Sequence, residues 1–97
     1  MTALWIAHIT VTDPERFALY AKAAGPAIAA HGGVFLARGG RSRQLEGSGR
    51  ARNVVTRFPS LEAAVACYES PEYQAALAHA EGAAERDLVI VEEVEPG

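Results

Sequence analysis

The chain opens on the two-residue period of a strand. Trp5, Ala7, Ile9 and Val11 fall on one side of an extended backbone, with Leu4, Ile6, His8 and Thr10 on the other, which predicts a strand from Ala3 to Val11. Asp13-Pro14-Glu15 then supplies an N-cap, a proline at the first helical position and an acid where the helix dipole is positive. Phe17, Tyr20, Ala21 and Ala24 recur at helical spacing. This helix is expected to kink or restart at Gly25-Pro26 and to end near His31, where Gly32-Gly33 provides a left-handed cap. A second strand is expected from Val34 to Gly39, a short edge strand at Gln44, Leu45 and Glu46, and a third main strand from Asn53 to Phe58. Ser60 caps a helix whose predicted apolar face is Leu61, Ala64, Val65 and Tyr68. Ser70-Pro71-Glu72 repeats the cap, proline and acid signature and starts a helix that carries Tyr73, Ala76, Leu77 and Ala80 inward as far as about Gly82. Asp87 to Val94 is the predicted last strand.

The resulting order is β-α-β-β-α-β with the second helix split. It predicts one α+β domain over residues 1–97, a ferredoxin-like split βαβ antiparallel sheet with its helices on one face. Strand parity puts Trp5, Ala7, Ile9, Val11, Phe35, Ala37, Val54, Thr56 and Phe58 under the helices. The opposite face holds Leu4, Ile6, Val34, Leu36 and Val55, interrupted by His8, Arg38 and Arg57. An open sheet face normally alternates to polar residues, so this half-apolar face calls for a cover. A second copy of the chain is the simplest one, because a two-fold interface is self-complementary.

Composition narrows the function more than the fold. With 97 residues, 49% of them apolar and 22% charged, the chain is of ordinary globular make-up. A net charge of −3 argues against nucleic acid as a partner, although six of the nine basic residues are arginines between Arg38 and Arg57. Cys67 is the sole cysteine, which excludes an intrachain disulfide and suits a reducing, cytoplasmic setting. No stretch approaches the ~20 apolar residues that would span a membrane. No GxGxxG or GxxxxGK motif is present, and the histidines lack close ligand spacing, so neither an organic cofactor nor a metal is expected.

FLARGG from Phe35 to Gly40, LEG from Leu45 to Gly47, FPS from Phe58 to Ser60, CYESPEYQAA from Cys67 to Ala76 and the terminal LVIVEEV resemble the family called domain of unknown function 1330. The resemblance covers nearly the whole chain. It implies the dimeric α/β barrel architecture, in which two sheets pack face to face. That superfamily includes small monooxygenases without cofactors, lactone isomerases, haem-binding members and members without a known activity, so fold alone does not settle function.

Candidate chemistry follows from the interruptions of the open face. His8 could act as a general base there on a bound small molecule, or be a half-buried structural histidine. Arg38 and Arg57 would suit a small anionic ligand, or could pair with Glu46, Glu92 or Glu93. Tyr68 and Tyr73 flank the break between the last two helices and are further ligand candidates, although their spacing also fits the core. Arg41, Arg43, Arg50 and Arg52 are expected to be solvated hairpin residues. Two functions remain open at this level. One is a cofactor-free enzyme of proton transfer or oxygenation, and the other is a non-catalytic ligand-binding or assembly module whose interior is filled by its own side chains.

Overall fold

A computed structural model describes residues 1–95; the final two positions of the expected domain lie outside it. The elements are β1 (Ala3–Val11), α1 (Pro14–Ala30), β2 (Val34–Arg38), β3 (Arg52–Phe58), α2 (Leu61–Glu69), α3 (Pro71–Ala80) and β4 (Ala84–Glu92). The strands form one antiparallel sheet in the order β2-β3-β1-β4, the arrangement a split βαβ unit produces when each half returns beside the first strand. The fold is therefore the expected ferredoxin-like α+β fold.

Local signals start each helix. The Asp13 carboxylate accepts from the Arg16 amide at 3.3 Å, and Ser60 Oγ accepts from the Ala63 amide at 3.0 Å. Ser70 serves two helices at once: its hydroxyl donates to the Cys67 carbonyl at 2.7 Å and accepts from the Tyr73 amide at 3.2 Å. That single residue ends α2 and begins α3. A cap of this kind contributes about 1 kcal/mol.

The core lies between the helices and one sheet face. Trp5 is its centre, stacked on Phe58 at 5.6 Å and met edge-on by Tyr73 at 5.1 Å. Trp5, Ala7, Ile9, Val54, Thr56 and Phe58 are all buried there, as parity predicts. The opposite face leaves Val34, Leu36, Val89 and Val91 between 46% and 60% exposed, an apolar surface too large for scattered chance.

Several boundaries differ from expectation. Residues 44–46 form no strand; they lie in an irregular exposed segment where Gly47 and Gly49 take positive φ and Leu45 is 80% exposed. The buried face of α2 is Ala64 and Cys67, while Val65 and Tyr68 are about one-third exposed. Small residues let α2 approach α1, where Cys67 Sγ comes within 3.8 Å of the Ala27 carbonyl. α1 runs on through Pro26 without restarting. β4 begins three residues before Asp87, because every residue of β1 from Ala3 to Val11 finds a partner along it.

Candidate functional site

The two faces of the sheet carry different chemistry, and the sequence-predicted residues divide between them. His8 lies on the open face as expected. Its Nδ1 meets Asn53 Oδ1 at 2.6 Å, and Asn53 in turn donates to Ser42 Oγ at 3.2 Å. Because a carboxamide oxygen can only accept, Nδ1 carries the hydrogen of this bond. Asp87 is the neighbour of His8 on β4 and is bound by Arg50, which also reaches Glu85 and Thr10. Arg50 is thus part of an ion-pair cluster rather than a free hairpin cation.

Arg57 shares the open face but not the neighbourhood of His8. It stands opposite Leu4, four positions along β1 from His8 and so about 13 Å away. Glu93 grips its guanidinium through both oxygens, at 2.6 and 3.1 Å. The pair holds the Glu93 carboxyl below its ordinary pKa, chiefly through these hydrogen bonds.

Arg38 is on the other face. Simple alternation from Val34 would place it beside His8, but the β2–β3 register shifts between Phe35 and Ala37. A bulge adds one residue and reverses the facing of everything beyond it. Arg38 pairs with Val54 instead and turns under α1. There its guanidinium covers the Phe35 ring at 4.1 Å and donates to the Ala21 carbonyl at 3.2 Å.

Arg38 thereby joins Arg52, which is a β3 residue and not the solvated hairpin residue expected, and Arg86, which was not among the candidates. Arg52 of β3 and Arg86 of β4 flank Ile9 of β1 in one row across the sheet, on the helix side. Extending the β3 alternation by one residue would have revealed Arg52. Arg86 was hidden by placing the start of β4 too late. The three arginines line a cavity of about 30 Å³ between α1 and the sheet, with Trp5, Phe17 and Phe35 as apolar wall and Tyr20 and Thr56 as neutral polar groups. No carboxylate lines it, and none of these arginines makes an ion pair among the described residues.

Residues of its wall also hold unmet hydrogen-bonding capacity. Arg52 Nε, Arg86 Nε and Thr56 Oγ1 are buried without any partner. Buried polar atoms are nearly always satisfied, so a cluster of them around one space needs an explanation. Arg86 Nη2 is satisfied, donating at 3.0 Å to both the Tyr20 and Tyr73 hydroxyls, which lie 2.6 Å apart. Arg86 also borders an open groove of about 410 Å³ flanked by Gln74, Leu77 and Glu81.

Of the tyrosine candidates, Tyr73 is wholly buried and opens onto no surface, while Tyr68 is part-exposed at the edge of the Trp5 cluster beside Leu88 and Ile90. The break between α2 and α3 is closed by Ser70 rather than forming a mouth. Cys67 is buried and its thiol is pushed up to about 11, mainly by desolvation, so it stays protonated. Among the described residues, no group of three or more His, Cys, Asp or Glu is placed to hold a metal ion, and no helix is long and apolar enough to cross a membrane.

A ferredoxin-like domain with a cationic cavity on its helix side and an apolar surface on the other is the class that fold and site define. The sequence matches the domain of unknown function DUF1330 over residues 2–94, and the chain belongs to that family. No curated protein matches it by sequence. Among solved structures it is similar to a protein of unknown function from Rhodopseudomonas palustris, with a TM-score of 0.77 at 20% identity over 98% of this chain and 84% of that one. It is also similar to SnoaB, a cofactor-independent oxygenase from Streptomyces nogalater, with a TM-score of 0.68 at 10% identity over 98% and 95% of the two chains. A dimeric ferredoxin-like protein of unknown function from Thermobifida fusca has a TM-score of 0.63 at 21% identity over 93% and 89%. Likenesses at these identities show the fold.

Proposed function

We propose that the chain binds a small organic acid as its anion in the cavity between α1 and the sheet. In this proposal it acts on that molecule by stabilising the anion, in the manner of cofactor-free proton transfer or oxygenation. The observation that carries this is the set of three arginines around one apolar space with no carboxylate to neutralise them. Arg52 and Arg86 are part-buried and Arg38 is exposed, and none is ion-paired among the described residues, so an anionic ligand would meet three unneutralised cations there. A bound phenol or enolisable carbonyl compound would lose its proton more readily there, since nearby cations favour the charged form. The similarity to a cofactor-independent oxygenase supports the same class of chemistry.

The competing account is a non-catalytic module with a filled interior. Its support is the volume, since about 30 Å³ holds only a water or two. The arginines weigh against it, because an interior filled merely for packing has no use for three guanidiniums around one space. Arg38 is the wall able to give way: it is exposed, follows a bulge, and is held by one hydrogen bond and a ring contact.

The open sheet face is assigned to a second copy of the chain, in keeping with the dimeric relative and with the exposed Val34, Leu36, Val89 and Val91. His8 and Arg57 then belong to that interface. A buried, protonated single thiol suits a reducing compartment such as the cytoplasm.

Binding can be followed directly, because Trp5 is the only tryptophan and lines the cavity. Titration with 4-nitrophenol near neutral pH is expected to quench Trp5 emission and to raise the phenolate absorption of the bound probe. Arg52→Gln should weaken binding about tenfold, the loss of one charged hydrogen-bonding partner. Unchanged affinity in Arg52→Gln, or binding of the probe as the neutral phenol, would contradict the assignment.

A further inference from the structure

The hydrogens of the Tyr20 and Tyr73 phenols can be placed by elimination. Their oxygens are 2.6 Å apart, and Arg86 Nη2 lies 3.0 Å from each. A guanidinium only donates, so both oxygens accept from Arg86. Only one phenol hydrogen fits between the two oxygens, and the other must go elsewhere. If Tyr20 donated to Tyr73, the Tyr73 hydrogen would sit at a fully buried site with no further acceptor among the described residues. If Tyr73 donates to Tyr20, the Tyr20 hydrogen is free to turn into the cavity that Tyr20 lines. The second arrangement leaves no donor stranded, so it is the one the core selects. Burial also pushes the Tyr73 phenol well above its ordinary value, so Tyr73 keeps the hydrogen this arrangement requires of it.

We propose that Tyr20 is the ligand-facing hydrogen-bond donor of the cavity, anchored by Arg86, and that the ligand atom it meets is an oxyanion. The inference rests on the proposed ligand site and adds the residue that meets the anion's oxygen. Tyr20, Arg52 and Arg86 line one space, and a guanidinium has only hydrogens to give, while the Thr56 hydroxyl lies fully buried in the wall and can donate or accept. A carboxylate, enolate or phenolate oxygen satisfies such a set, and an ammonium group or an amide N–H does not. Phe17, packed 5.4 Å from Tyr20, and Trp5 supply the apolar wall for the rest of the molecule. Tyr20 touches the ligand, whereas the Tyr73 hydroxyl meets only Tyr20 and Arg86 among the described residues.

The probe is 4-nitrophenolate at a pH where it is ionised, titrated into the intact protein and into Tyr20→Phe, Tyr73→Phe and Arg52→Gln. Tyr20→Phe is expected to weaken binding about tenfold and to move the absorption band of the bound probe to longer wavelength, because a donor to the phenolate oxygen has been removed. Tyr73→Phe leaves Tyr20 its hydrogen and its contact with Arg86, so affinity should stay within about threefold and the band should not move. A packing effect would give the opposite ranking, since Tyr73 is the more deeply buried of the two. Equal losses, a larger loss in Tyr73→Phe, or an unmoved band in Tyr20→Phe would overturn the proposal. If Tyr20→Phe does not fold, Tyr73→Phe decides alone, with retained affinity in support and a tenfold loss against. Binding that depends on Arg52 but not on Tyr20 sinks this inference only. No binding to the unaltered protein sinks the proposed function with it.

Discussion

Thr56 is fully buried with its hydroxyl oxygen unpartnered. An unsatisfied buried hydroxyl costs about 1–3 kcal/mol, and valine has nearly the same shape without that cost. Thr56→Val is therefore expected to raise the unfolding free energy of the ligand-free protein by about 1 kcal/mol in urea titration while weakening anion binding. A loss of stability would mean that the hydroxyl has a partner after all. At this scale the sequence was only partly legible. His8 and Arg57 occupy the predicted face, because β1 and β3 alternate without interruption. Arg38 does not, because one bulge reverses parity and nothing in VFLARG announces it. Arg52 passed for a hairpin residue, and Tyr20 for a packing residue only. Its second role emerges only when Arg86 and Tyr73, distant in sequence, are brought to its hydroxyl.

One glycine stands directly against an arginine of the cavity. Gly39 follows β2 with φ +73°, a conformation that costs an L side chain roughly 1–2 kcal/mol, and a Cβ there would collide with the Arg52 guanidinium. Gly39→Ala should thus destabilise the fold by about 1–2 kcal/mol in denaturant titration and also weaken anion binding by displacing Arg52. Lowered stability with unchanged binding would dissociate Arg52 from the site. Helix starts were legible because Asp13, Ser60 and Ser70 each act through hydrogen bonds within a few residues. The start of β4 and the buried face of α2 were not. Both are set by long-range packing, the first by the full length of β1 and the second by the approach of Cys67 to α1.

On the scale of the whole molecule, the sheet separates a cationic cavity from an apolar surface, and each face makes its own prediction. If the surface is covered by a second copy, Ile6→Arg should convert a dimer to a monomer in native mass spectrometry at micromolar concentration. Its neighbours across the sheet are Val55 and Val89, so the new charge would be buried against apolar residues. An unaltered protein that is already monomeric would remove the assigned partner. Along the border of that surface, Arg50 and Arg57 hold Asp87 and Glu93 below their ordinary values of 3.8 and 4.5. A depressed carboxylate contributes stability that is complete above the unfolded value and lost as pH falls through the folded one. The melting temperature should accordingly hold down to about pH 5 and decline below it, with a shallower decline in Asp87→Asn. An identical acid limb in that variant would show the Arg50 pair to be inert. Overall architecture was the most legible level, since hydrophobic period and element order specify the ferredoxin-like fold without any knowledge of the site. The side of the sheet that carries the ligand was not legible, and it is the claim on which the functional account turns. The most direct test is a crystal structure of the protein with 4-bromobenzoate, in which anomalous scattering locates the bromine. The account predicts the carboxylate among Arg38, Arg52 and Arg86 with the ring against Trp5 and Phe17. Bromine found instead on the open sheet face beside His8 would contradict it.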